Sequence, residues 1–161
     1  MTLTVEEIVT RLGLVVHPEG GFYNETYRSG KKYDAADGER SVSTAIYFLL
    51  TAGNFSAFHR IKSDEGWHHY LGDPVHVHAI DENGFYQLHH LGSDLSKGES
   101  PQAFISAGQW FGSESVGGSG YSLVGCTVAP GFDFADFELA EKESLLTKFP
   151  HHSEIITRLT R

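Results

Sequence analysis

The segment 53-GNFSAFHRIKSDEGWHHYLG-72 decides how this chain is read. Phe55 to Ile61 and Glu65 to Leu71 read as two strands joined by the polar turn Lys62-Ser63-Asp64. Alternate side chains of a strand share a face, so His59 and residue 61 point the same way and Glu65 joins them after the turn. An imidazole and a carboxylate are thereby aimed at one place, while the same-face position 61 holds the apolar Ile61. By the same parity Arg60 points away from His59.

Working outward, the rest of the chain is rich in strands. Ser43 to Thr51 is a strongly apolar run bounded by Gly53, as expected of a buried strand. Val75 to Ile80 alternates, and Asp81-Glu82-Asn83-Gly84 signals a hairpin into Phe85 to His89. Gln102 to Ser106, Tyr121 to Val128 and Phe132 to Leu139 are predicted strands, with a polar loop over Gly92 to Pro101. Residues 4–13 predict a short amphipathic helix: Thr4 caps it, Glu6 and Glu7 fall in its first turn, and Gly13 ends it. Residues 141–148 and 153–159 predict two more short helices, split by Pro150. Many short strands with close turn signals indicate an all-β sandwich or barrel in a single domain spanning 1–161.

With 161 residues the chain can bury a sizeable core, and 40% hydrophobic content excludes a disordered chain. The formal charge of −9 argues against binding to nucleic acid. Cys126 is the only cysteine, so no intramolecular disulfide forms. With no apolar segment of signal-peptide or membrane-spanning character, a cytoplasmic location is expected.

The frame Gly53-x5-His59-x-Ile61-x3-Glu65-x6-Gly72 resembles the first motif of the cupin superfamily, with Ile61 where the family carries a second His. Ser106-Ala107-Gly108-Gln109-Trp110-Phe111 resembles the second motif, with Phe111 at its His. The strings HPEGGFYNETYRS, STAIYFLL and SLVGCTVAPGFDFADFEL resemble a cupin branch described as a domain of unknown function. The likeness implies a jelly roll, the double-stranded β-helix of cupins, and commonly a homodimer. In metal-binding cupins the motif residues ligate one cation. Here Ile61 and Phe111 offer no lone pair, and the two remaining ligands fall short of a closed site. No metal and no cofactor are expected.

Residues 19–25, EGGFYNE, resemble the nucleotide-holding segment of nucleotide-sugar 3,5-epimerases, cupins that work without a metal. That resemblance implies a nucleotide or nucleotide-sugar ligand and places His59 as a catalytic base, oriented by Glu65, Asp133 or Asp136. Tyr121 opens the region where those enzymes carry their acid Tyr. Glu25 and Arg28 are the expected polar ligand contacts. Phe22, Tyr23, Trp67, Trp110 and Phe111 are candidate stacking surfaces, and His69 shares the parity of Glu65. The Tyr23-to-Tyr27 region is expected to pair with a second copy in a homodimer. A metal enzyme using His59, Glu65 and His69, and a non-catalytic sensor, are the alternatives. His76 and His78 form a further i, i+2 pair outside the motif frame and receive no role.

Overall fold

Thr4 opens the first regular element. In the computed structural model, which describes residues 3–161, its hydroxyl accepts from the Glu7 backbone N–H at 3.2 Å, and the Glu7 carboxylate accepts from the Thr4 N–H at 2.9 Å. This reciprocal cap satisfies two orphan donors and starts α1 (Val5–Leu12), which Gly13 ends at φ +61°. The apolar stripe of α1 buries Ile8 against Leu49, Tyr121 and Leu123.

Two antiparallel sheets follow. The larger, in spatial order, contains β1 (Val15–Val16), β2 (Phe22–Arg28), β5 (Thr44–Thr51), β12 (Tyr121–Ala129), β7 (Asp64–Gly72) and β10 (Gln102–Ile105). The smaller contains β13 (Glu138–Leu139), β6 (Phe55–Arg60), β11 (Trp110–Ser115), β8 (Val75–Ile80) and β9 (Tyr86–Leu91). A separate hairpin joins β3 (Lys32–Ala35) to β4 (Gly38–Ser41). The inner faces meet in a core that includes Phe48, Leu50, Trp67, Val77, Phe111 and Val124. Helices α2 (Lys142–Lys148) and α3 (Ser153–Arg158) cover the smaller sheet, packing Leu145, Phe149, Ile156 and Leu159 on Phe58, Ile80 and Trp110. The result is the expected all-β jelly roll with short helices at both ends.

Several expectations are corrected. The Tyr23-to-Tyr27 region belongs to β2, which pairs along one edge with β5 of the same chain and on the other edge with β1 at Phe22 and Tyr23. Residues 132–139 do not form one strand. Asp133 caps a 3-10 turn at Phe134–Asp136, its carboxylate accepting from the Ala135 N–H at 2.8 Å, and only Glu138–Leu139 pairs with β6. The β3–β4 hairpin and β11 lie outside the predicted strand set.

Candidate functional site: a titratable pocket inside the jelly roll

The turn between β1 and β2 bends into the barrel. Gly20 and Gly21 permit this with φ of +109° and +79°, a region open to glycine. A Cβ on Gly20 would lie 2.1 Å from the Phe55 carbonyl oxygen, so only glycine brings the turn this close to β6. The turn also ties the sheets together, the Ala57 N–H of β6 donating to the Glu19 carbonyl at 2.8 Å, and it is closed on itself by the His17 N–H, which donates to the Gly21 carbonyl at 2.9 Å. Glu19 is thereby fixed in the interior.

His59, from β6, meets it. Its Nε2 lies 3.0 Å from Glu19 Oε2, and its Nδ1 lies 2.8 Å from the Ala57 carbonyl oxygen. A carbonyl only accepts, so Nδ1 carries a proton; a carboxylate only accepts, so the Nε2 contact holds a proton too. Burial by itself would lower the His59 pKa, but the Glu19 charge and hydrogen bond overcome it and hold it above the ordinary value. Burial likewise works against ionised Glu19, yet His59, with help from the Ser56 hydroxyl at 2.8 Å, brings its pKa below the ordinary range. The two are a buried ion pair. The imidazole is wedged between Phe111, at 4.1 Å between ring centres, and Phe137, at 5.3 Å.

His17 plays a different part. Its Nδ1 accepts from the Glu19 backbone N–H at 3.2 Å, so this nitrogen carries no proton. Its approach to Glu19 Oε2, at 3.8 Å, is therefore not an ion pair. Burial lowers its pKa, consistent with a neutral ring.

The larger sheet supplies the opposing wall. Glu65 on β7 sits opposite Val128 on β12 in the strand register, with Cys126 two residues back. Glu65 is buried, and burial together with the nearby Glu19 charge pushes its carboxyl up to about 7 against the pull of His59. The Cys126 thiol, near Glu65, is pushed well up by burial and by that carboxylate.

These groups face a cavity of about 470 Å³ bounded by His17, Glu19, Glu65, Cys126, Tyr23 and Ile46, with Phe132, Asp133 and Phe134 toward its mouth. Glu25 and Arg28 also line it, but they are clasped together. Arg28 donates from Nε and a terminal nitrogen to both Glu25 oxygens at 2.8 Å, and to the Phe132 carbonyl at 2.9 Å. Among the described lining residues Arg28 is the one Lys or Arg, against the carboxylates of Glu19, Glu25, Glu65 and Asp133.

Of the residues singled out by sequence, the structure brings Glu65, Tyr23, Glu25, Arg28 and Asp133 to the cavity wall, with His59 directly behind Glu19. It does not bring the others. Tyr121 packs under α1, and Phe22 packs on the same cluster. Trp67 and Phe111 are core, and Trp110 lies beneath the C-terminal helices with the Arg60 guanidinium 4.5 Å from its ring. His69 hydrogen-bonds the Asp73 carbonyl at 3.0 Å. Asp136 is held by a forked pair of bonds from Arg40, at 2.8 and 2.9 Å, and does not orient His59. His17 and Glu19 were missed as site residues; the signal available was the Gly20-Gly21 pair following Glu19, which marks a chain reversal.

The chain belongs to the cupin superfamily, in the family described as DUF985, whose model matches residues 6–140. It is similar to a hypothetical protein from Leishmania major, at 37% identity and TM-score 0.93, covering 98% of this chain and 99% of that one. A Shewanella oneidensis protein of known structure is 39% identical, with TM-score 0.92 and 99% coverage of both chains. Oxalate decarboxylase of Bacillus subtilis shares the fold at 14% identity and TM-score 0.57, over 91% of this chain and 37% of that one. No functionally curated protein matches significantly. Among the described residues, no helix is long and apolar enough to cross a membrane.

Proposed function

We propose that this cupin binds an uncharged, hydroxyl-bearing small molecule of sugar-like size and moves a proton on it, the chemistry of an isomerase or epimerase. One observation carries the reading. Two carboxyl groups face a single cavity with their pKa values driven apart, Glu19 below the ordinary range and Glu65 up to about 7. Such a split assigns a base and an acid. Glu19, ionised, is the base; Glu65, which is about half protonated at neutral pH, is the donor. General acid–base catalysis of this kind contributes roughly 10²–10⁴ in rate. His59 is a positioning residue on this reading, because both of its ring nitrogens are already engaged. It holds Glu19 in place and steadies its charge. This moves the role of base from His59 to Glu19.

The ligand class follows from the walls. A volume of about 470 Å³ suits a compact molecule, and Tyr23, Phe132 and Phe134 offer faces for the apolar side of a sugar ring. A nucleoside diphosphate would bring its charges to the carboxylates of Glu19 and Asp133, and Arg28, its natural partner, is neutralised by Glu25. The electrostatics therefore favour the sugar-like half of the nucleotide-sugar expectation.

The test is a melting-temperature screen of neutral aldoses, ketoses and polyols against nucleoside diphosphates, followed by solvent deuterium exchange into the hits, read by NMR. A ligand at about 100 times its dissociation constant adds about 2.7 kcal/mol. Exchange in the wild type that is lost in both Glu19→Gln and Glu65→Gln supports the reading. Stabilisation by diphosphates alone would overturn the ligand class, and binding without exchange would overturn the chemistry.

A further inference from the structure

A second cluster of ligating side chains lies on the opposite side of the smaller sheet. Val75, Val77 and Ala79 of β8 point into the core, so strand alternation turns His76 and His78 to the outer face. The register then sets two neighbours directly beside His76: Glu114 on β11 and His90 on β9. Three adjacent strands thus deliver three imidazoles and a carboxylate to one patch.

Their spacing suits a metal ion. The donor atoms of His76, His78 and Glu114 all lie within 4.8 Å of one another, and among the described residues this is the one group of three or more His, Cys, Asp or Glu to do so. His78 Nε2 is 3.1 Å from Glu114 Oε1, and His76 Nε2 is 3.1 Å from His90 Nδ1. Two nitrogens bound tetrahedrally to zinc at 2.0–2.1 Å stand about 3.3 Å apart. The His76–His90 pair is close to that separation already.

The surroundings are also those of a ligand set. His78 Nδ1 lies 2.7 Å from the Tyr86 hydroxyl, which can either donate or accept. The ring can therefore switch to the tautomer that frees Nε2 and donates from Nδ1, the outer-sphere contact that orients metal-bound histidines. Glu114 is paired with the guanidinium of Arg158 on α3. That side chain is about half exposed, at 50%, so it can swing aside when another cation takes its place. The charge requirement of the patch is thus met by a displaceable cation.

We propose that His76, His78 and Glu114 form a site for a zinc-class divalent transition metal on the outer face of the smaller sheet, with His90, which in this structure is close to His76 alone, turning in as a fourth ligand. Imidazole and carboxylate donors suit zinc, nickel and copper rather than calcium or magnesium. The site is separate from the interior pocket and independent of the chemistry proposed for it. Ligand binding would fasten β8, β9 and β11 together and release Arg158 of α3.

The experiment is calorimetric titration of tag-free, chelator-stripped protein with zinc chloride, paired with the visible spectrum of the cobalt(II) form. One zinc per chain is expected, with the intense visible bands of four-coordinate cobalt. His76→Gln should weaken binding at least tenfold and His90→Gln severalfold, each with unchanged metal-free melting temperature. Arg158→Ala should tighten it, and Glu65→Gln, in the interior, should leave it unchanged. No saturable binding would overturn the proposal, as would binding that survives His76→Gln and His90→Gln or disappears in Glu65→Gln. Should His76→Gln alter the fold, His90→Gln and Arg158→Ala decide it by the same readout.

Discussion

Nε2 of His59 lies 3.0 Å from Oε2 of Glu19, and both side chains are almost wholly buried, so neither can be removed without stranding the other. Breaking a buried pair from one side leaves an uncompensated charge and costs about 3–5 kcal/mol, whereas replacing both with apolar groups is often close to neutral. His59→Leu is therefore expected to lose about 3–5 kcal/mol in urea unfolding. The double variant His59→Leu/Glu19→Leu should recover roughly half of that loss or more. A double variant less stable than His59→Leu would show that the pair is not electrostatically coupled.

Glu65 gives the protein a pH signature. Its folded pKa, about 7, lies above the ordinary 4.5. A raised folded pKa means a contribution fully present below about pH 4.5 and lost as pH rises through about 7. At 1.36 kcal/mol per unit, the loss amounts to roughly 3 kcal/mol. Glu65→Gln cannot ionise, so its stability relative to wild type should improve between those limits and level off above pH 8. Chemical unfolding of both proteins at several pH values reads this directly, and parallel curves would remove Glu65 from the titration. The raised pKa of His59 acts in the same direction, its contribution being lost as pH rises, so wild-type stability should decline on the alkaline side.

At the cavity mouth, Glu25 neutralises Arg28. Glu25→Gln removes that charge and frees the guanidinium, so affinity for anionic probes such as a nucleoside diphosphate should rise severalfold. Both side chains are partly exposed, so stability should change by less than about 1 kcal/mol. Calorimetry with wild type and variant side by side is the measurement. Equal affinity in the two would show that the clasp does not set ligand charge.

Gly20 is the narrowest point of the β1–β2 turn. A methyl group there meets the Phe55 carbonyl at 2.1 Å and an Arg161 guanidinium nitrogen at 2.5 Å, at a backbone φ of +109°. Strain of this kind costs about 1–3 kcal/mol before the clash is counted. Gly20→Ala should lower stability by about 3 kcal/mol and, by displacing Glu19, abolish any deuterium exchange even at temperatures where the chain stays folded. A Gly20→Ala protein with wild-type melting and exchange would contradict the role given to the turn.

Much of this fold is legible in the sequence because period and punctuation agree. The 75–89 hairpin is found within two residues of its expected bounds, and Asp81 secures its turn by accepting from the Asn83 and Phe85 N–H groups at 2.9 Å. The α1 cap is written in Thr4 and Glu7. The segment Phe132–Leu139 misleads, since its alternation of aromatic and acidic residues mimics a strand while Asp133 spends its carboxylate on a turn. The site divides along the same line. His59 and Glu65 share one local frame, but Glu19 reaches His59 from 40 positions upstream through a turn whose inward bend no local pattern records. Of the aromatic candidates Tyr23 reaches the cavity, while Trp67 and Phe111 fill the space between the sheets.

The anchoring of Glu19 extends to the far end of the described chain. The Arg161 guanidinium donates to the Glu19 carbonyl at 2.6 Å and to the Phe55 carbonyl at 3.0 Å, and stacks 4.2 Å from the Phe55 ring. The contact spans 142 positions in sequence, and closures of such separation are the slow steps of folding. Neither sheet depends on that clamp for its strand pairing, so the barrel can stand while the turn that carries Glu19 is not yet fastened.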